Sequence, residues 1–136
     1  MVNPRKVYPV DPGLIPVFDR SGRSNLGHAL ETAVLIELER RRLDVTYVRT
    51  KSGHEVDFLA RNADGTADLI QVCADASDPE TAKRELRSLL DAGKQHPNAR
   101  KRLLTLTRDG APGKTPSDVH VQPAYEWMLA KNLGAG

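Results

Sequence analysis

Cysteine is almost absent from this chain. Cys73 is the single one in 136 residues, so there is no internal disulfide and no thiolate cluster for a structural zinc ion. Histidine does not fill that gap. His28, His54, His96 and His120 show no short-spaced ligand pattern, and a zinc site is not expected from them. Aromatic residues make up only 4% of the chain. No apolar run approaches the roughly 18 residues of a membrane span. Met1–Lys6 lacks the apolar stretch of a signal peptide, which makes a cytoplasmic location the simplest expectation. Charge is not strongly one-sided either. The formal net charge is +2, compatible with a nucleic-acid partner without demanding one. What remains, at 39% hydrophobic and 28% charged residues, is one soluble-type globular domain with a real core.

The most informative stretch is Glu55–Arg61, the turn Asn62–Ala63–Asp64–Gly65, and Ala67–Cys73. It reads as a β-hairpin. Alternation puts Gln71 and Cys73 on one face of the second strand, and Glu55 and Asp57 on one face of the first. A small polar cluster on an otherwise apolar hairpin needs a chemical or structural reason.

Around this hairpin the pattern is αβββαβ. Residues 1–24 contain Pro4, Pro9, Pro12 and Pro16 and read as an extended lead-in; the domain proper is expected over 25–136. A helix is expected over Leu26–Arg42, capped by Ser24 or Asn25. Its stripe is Leu26, Ala29, Leu30, Ala33, Val34 and Ile36, with Leu38 and Glu31 at the border and Glu37 nearer the centre. Val45–Thr50 is a strand preceding the hairpin. Ser77 and Glu80 have capping-box spacing for a second helix, with Pro79 in its first turn, an apolar face of Ala82, Leu86, Leu89 and Leu90, and Gly93 as its stop. Arg102–Thr107 and Val119–Gln122 follow as strands, separated by a Gly- and Pro-containing loop. A helix over Tyr125–Leu133 closes the chain, packing Trp127 or Tyr125. The fold class is mixed α/β, with a central sheet flanked by helices.

One motif is a decoy. Gly110–Ala111–Pro112–Gly113–Lys114–Thr115 resembles the end of a phosphate-binding P-loop, but Arg108 stands where the pattern requires glycine. Pro116 also follows where a helix should open. No nucleotide cofactor is expected. The chemistry that survives is Glu31, Asp57 and Gln71, with Cys73 beside them. Two carboxylates and an amide carbonyl are the donor types that hold a hard divalent ion such as magnesium. Such an ion activates water and stabilises charge on a scissile phosphate. Solvated side chains and a small core cysteine are the plainer reading of the same residues.

A family resemblance sharpens this. The motifs that carry it are Tyr47–Phe58, Leu69–Cys73, Ser77–Thr81 with Arg84–Arg87, and upstream Lys6–Leu14 and Asn25–Glu31. Together they resemble the C-terminal domain, a domain of unknown function, of a group of prokaryotic AAA-type ATPases. By the same resemblance that domain is similar to the PD-(D/E)xK nuclease superfamily. The likeness implies a restriction-endonuclease-like core, with Glu31 as the helix carboxylate and Asp57 as the motif aspartate. Gln71–Val72–Cys73 then stands in place of (D/E)-x-K. As a catalytic set it gives Glu31, Asp57, Gln71 and Cys73; as metal ligands, Glu31, Asp57 and Gln71, with Mg²⁺ or Mn²⁺ bound. Lys51 or Lys83 would have to take over the missing lysine's charge. Two functions follow from the resemblance. One is a metal-dependent nuclease with a variant site. The other is a catalytically inactive interaction or regulatory domain of an AAA-type ATPase system. Nucleic acid and an ATPase module or partner protein are the implied partners. No ATPase module fits within 136 residues, so the expectation is an excised domain, a truncated gene product or a standalone relative.

Overall fold

The computed structural model describes residues 23–130, so all but the last two residues of the 1–24 lead-in, and the end of the last expected helix, lie outside the described residues. Five strands and three helices follow in the order α1 (Arg23–Arg40), β1 (Asp44–Arg49), β2 (Glu55–Arg61), β3 (Ala67–Val72), α2 (Pro79–Gln95), β4 (Arg100–Thr105), β5 (Val119–Pro123) and α3 (Ala124–Leu129). They form one mixed sheet of order β1-β2-β3-β4-β5. The first three strands are antiparallel neighbours, while β3, β4 and β5 run parallel. Short turns allow the antiparallel half, and α2 supplies the crossover that a parallel pair needs. The αβββαβ order expected from the sequence is the order observed.

The sheet is buried on both faces. Leu30, Val34 and Leu38 of α1 and Trp127 of α3 cover Phe58, Ile70 and Leu104. Leu86, Leu89 and Ala92 of α2 cover Val56, Leu59, Leu69 and Leu103 on the other side. Each fully buried leucine or isoleucine contributes about 2–3 kcal/mol. Trp127 is the aromatic that packs; Tyr125 is 48% exposed.

Several boundaries differ from expectation, each for a local reason. Helix α1 begins at Arg23, so Ser24 and Asn25 lie inside it, past the N-cap position expected for them. It also stops at Arg40, two residues short of Arg42. Arg42 takes a left-handed φ of 61°. Leu43 N–H reaches Leu38 O at 3.2 Å and Arg42 N–H reaches Glu39 O at 2.9 Å. That is a Schellman stop, with Leu43 and Leu38 in the same core cluster. The buried face of α1 is rotated from the expected stripe. Leu38 is fully buried, whereas Leu26 and Ile36 are 45% and 48% exposed. Apolar residues nearly encircle this helix, so periodicity alone does not select the face.

Helix α2 is capped by Asp78, whose carboxylate accepts from Thr81 N–H at 3.0 Å, while Ser77 bonds Asp75 instead. The Ser77–Glu80 capping box therefore does not form. Gly93 does not end the helix, which runs on to Gln95. A Cβ at Gly93 would come within 3.1 Å of the Lys101 side chain, so glycine serves close packing there. In the Gly- and Pro-containing loop, Arg108–Gly110 forms a single 3₁₀ turn. No strand–loop–helix phosphate cradle forms around Gly113.

Candidate functional site

The site begins as a fault in the sheet. Thr46 of β1 pairs with Leu59 of β2, but Val48 pairs with Val56. Two steps along β1 are thus matched by three along β2, which places a β-bulge at Asp57–Phe58. The bulge explains why Val56 and Leu59 face the same core while Phe58 faces the other. Bulges re-aim side chains in this way, and they gather beside functional sites.

On its other side, β2 separates from β3 at the same place. Regular pairing ends at Phe58 with Ile70. Beyond it, side chains replace the backbone ladder. Asp57 N–H donates to Gln71 Oε1 at 2.9 Å, and Val72 N–H donates to Asp57 Oδ2 at 2.9 Å. Gln71 Nε2 donates to Glu55 O at 3.3 Å and to the Glu85 carboxylate at 2.7 Å. Gln71 is 7% exposed, so these bonds satisfy a buried amide.

Glu85, on α2, is the residue that sequence reasoning passed over. Ala82, Leu86, Leu89 and Ala92 are the buried stripe of that helix. At about 100° per residue, position 85 falls between Leu89 and Ala92 on the helical wheel. An acid inside an apolar stripe was the available signal. Burial pushes the Glu85 carboxyl above its ordinary range, the Asp57 charge pushes the same way, and the bond from Gln71 opposes both. Arg84 approaches the second Glu85 oxygen at 3.4 Å.

Cys73 lies on the Gln71 face of the sheet, as alternation predicts, and packs against the α2-side core. Burial raises its thiol to about 11, and the Glu85 charge adds to the shift. The thiol donates to Asp75 O at 3.4 Å. At neutral pH it is therefore protonated, neither a nucleophile nor a cation.

Glu31 is half-buried on α1, the helix that covers the Phe58 and Ile70 face of the sheet. Hydrogen bonds bring Asp57 and Gln71 together at one end of the hairpin, with Cys73 on the Gln71 face, and add Glu85 from α2. Two other acids have separate roles. Glu37 binds Arg40 and Arg41, each at 2.7 Å, and these bonds hold its carboxyl down at about 2. Glu55 contributes its backbone carbonyl, and its side chain is exposed. Lys51 is exposed in the β1–β2 turn, and Lys83 lines a groove on the outer side of α2. Among the described residues, no group of three or more His, Cys, Asp or Glu side chains is placed to hold a metal ion.

A mixed five-stranded sheet between helices, with an Asp–Gln–Glu cluster where the central hairpin opens, defines a class of α/β domain compatible with a restriction-endonuclease-like core. A family profile, Domain of unknown function (DUF4143), matches residues 26–126, and the chain belongs to that family. Neither the curated proteins nor the solved structures yield a match to this chain.

Proposed function

We propose that this is a nuclease-superfamily domain with a degenerate centre, working as a binding and regulatory module of an AAA-type ATPase system rather than as a phosphodiesterase. One observation carries the reading: both polar ends of Gln71 are engaged in joining β2, β3 and α2. An acid at position 71 could accept hydrogen bonds but could not donate to Glu55 O and Glu85. The glutamine is thus matched to a structural clasp. Oδ2 of Asp57 is committed to the Val72 amide in the same clasp. Cys73, as a neutral thiol, supplies none of the positive charge that a lysine would bring to a phosphate leaving its ground state.

Glu31, Asp57 and Gln71 remain the residues toward which a divalent ion would be drawn if the centre bound one, with Glu85 as the added acid. A second reading rests on Glu85 itself. The repulsion between it and Asp57 shows two carboxylates within electrostatic reach, and a bound cation would relieve it.

The test is cleavage of labelled single- and double-stranded DNA and RNA in Mg²⁺ or Mn²⁺. Asp57→Asn is the control, because it keeps an acceptor for the Val72 amide. The expected result is no cleavage beyond that of the variant. Cleavage by the wild type that Asp57→Asn and Glu85→Gln abolish would establish the second reading instead. Under the degenerate-centre reading, Gln71→Glu/Cys73→Lys is the change that would move the site toward activity.

A further inference from the structure

The outer side of α2 carries a feature that the hairpin centre does not use. A groove of ≈ 590 Å³ runs between this helix and the β1–β2 turn. Lys83, Arg87 and Lys94 line one wall, Ser52 and His54 the other, and Leu90 lies between the cations. At about 100° per residue, the three cations fall within about 40° of one another on the helix. They are exposed, and none has an acidic partner among the described residues. The acid in the groove, Asp91, is already engaged: His54 Nδ1 lies 2.8 Å from it, and Thr50, His54 and Ser52 together hold its carboxyl below the usual range. Glu80, an exposed acid in the first turn of α2, lies at the far end of the stripe.

We propose that this groove binds the phosphate backbone of nucleic acid, with Lys83, Arg87 and Lys94 as the phosphate contacts. Along the helix axis the cations are spaced by about 6 Å and about 10.5 Å. Phosphates on one strand of a duplex advance by about 3.4 Å along its axis, so those intervals match about two and three nucleotides. The row is rigid because α2 is packed against the sheet on its opposite side. The concave shape favours a strand over a flat membrane surface, and no Phe, Tyr or Trp is among the described residues that line the groove. With no Phe, Tyr, Trp or amide side chain among the described residues along it, and with His54 engaged by Asp91, the groove reads charge and spacing, so binding is independent of base sequence. The proposal names the partner of the binding module above. It rests on that reading only in expecting that the bound strand is not cut.

The experiment is fluorescence anisotropy of a short labelled single strand and a short duplex, in EDTA, over a salt series. The variants are Lys83→Glu/Arg87→Glu, the milder Lys83→Gln/Arg87→Gln, and Lys114→Glu as a remote charge control in an exposed loop. Circular dichroism checks the fold of each. Wild-type affinity should fall with salt, and the double reversal should weaken binding at least about tenfold and flatten the slope of log K against log salt by about 2. The glutamine pair should show a smaller change in the same direction, and Lys114→Glu none. Equal binding by wild type and both double variants overturns the assignment, as does an affinity that ignores salt. Displacement of the strand by polyglutamate at equal charge concentration would assign the groove to an acidic protein segment, and a preference for phosphatidylserine vesicles would assign it to a membrane; either overturns the proposal. EDTA separates the two readings. Cleavage seen on adding Mn²⁺ would refute the degenerate centre while leaving groove binding intact, and lost binding would do the reverse.

Discussion

Helix α2 presents charge on two sides, and the two sides are wired differently. Inward, Glu85 meets Gln71, which meets Asp57 and Glu55, and each of these polar groups is held by another. Outward, Lys83, Arg87 and Lys94 are exposed and have no acidic partner among the described residues. Buried polar groups are costly unless paired, so the inward set has to be complete for the sheet to close over its bulge. Exposed cations carry no such requirement and contribute little to folding. The contrast separates two uses of charge in one element: satisfied groups hold the structure, and unsatisfied surface charge is available to a ligand.

Breaking the hydrogen bonds on the inward side of α2 should cost the most stability. Gln71→Ala removes the acceptor for Asp57 N–H and the donor for Glu85 together. The expected loss is about 2–4 kcal/mol of unfolding free energy, read by denaturant titration. A loss under about 0.5 kcal/mol would show that the clasp is not structural.

Glu85→Gln should act in the opposite direction. Because the Glu85 carboxyl is raised in the folded state, its ionisation on folding is penalised. Stability tied to this group is fully present below its unfolded value and is lost as pH rises through the folded one. The variant should therefore melt a few degrees above wild type at pH 8, and the difference should shrink as the pH is lowered. A variant less stable than wild type at pH 8 would mean that the ionised carboxylate is needed, as a centre built for a cation would require. The outward side should give the smallest effect: Lys83→Met and Arg87→Met should each change stability by no more than about 0.5 kcal/mol.

Much of this arrangement was legible in the sequence. The hairpin of β2 and β3 has strong turn chemistry at Asp64–Gly65 and strand-like runs on both sides, and it appears where expected. Alternation correctly placed Gln71 and Cys73 on one face. The bulge was not legible, because it is a property of how β1 registers against β2, and no local pattern in β2 encodes it. Glu85 was legible in principle from its place inside the buried stripe of α2, yet it stands between Arg84 and Leu86 in a stretch that also reads as a solvated helix. The rotated face of α1 could not be read, since apolar residues on several sides leave the choice to tertiary packing. The departure of Gln71 and Cys73 from (D/E)-x-K was visible as a substitution. What Gln71 does with both ends of its amide required the positions of three elements at once.

On the reading proposed above, the Asp57–Gln71–Glu85 cluster closes the sheet and does not gather a catalytic ion. Isothermal titration of Mn²⁺ into the wild type and into Asp57→Asn tests it most directly. Both should give the same weak, non-saturating heats. Saturable binding at one site per chain in the wild type, lost in Asp57→Asn, would contradict it.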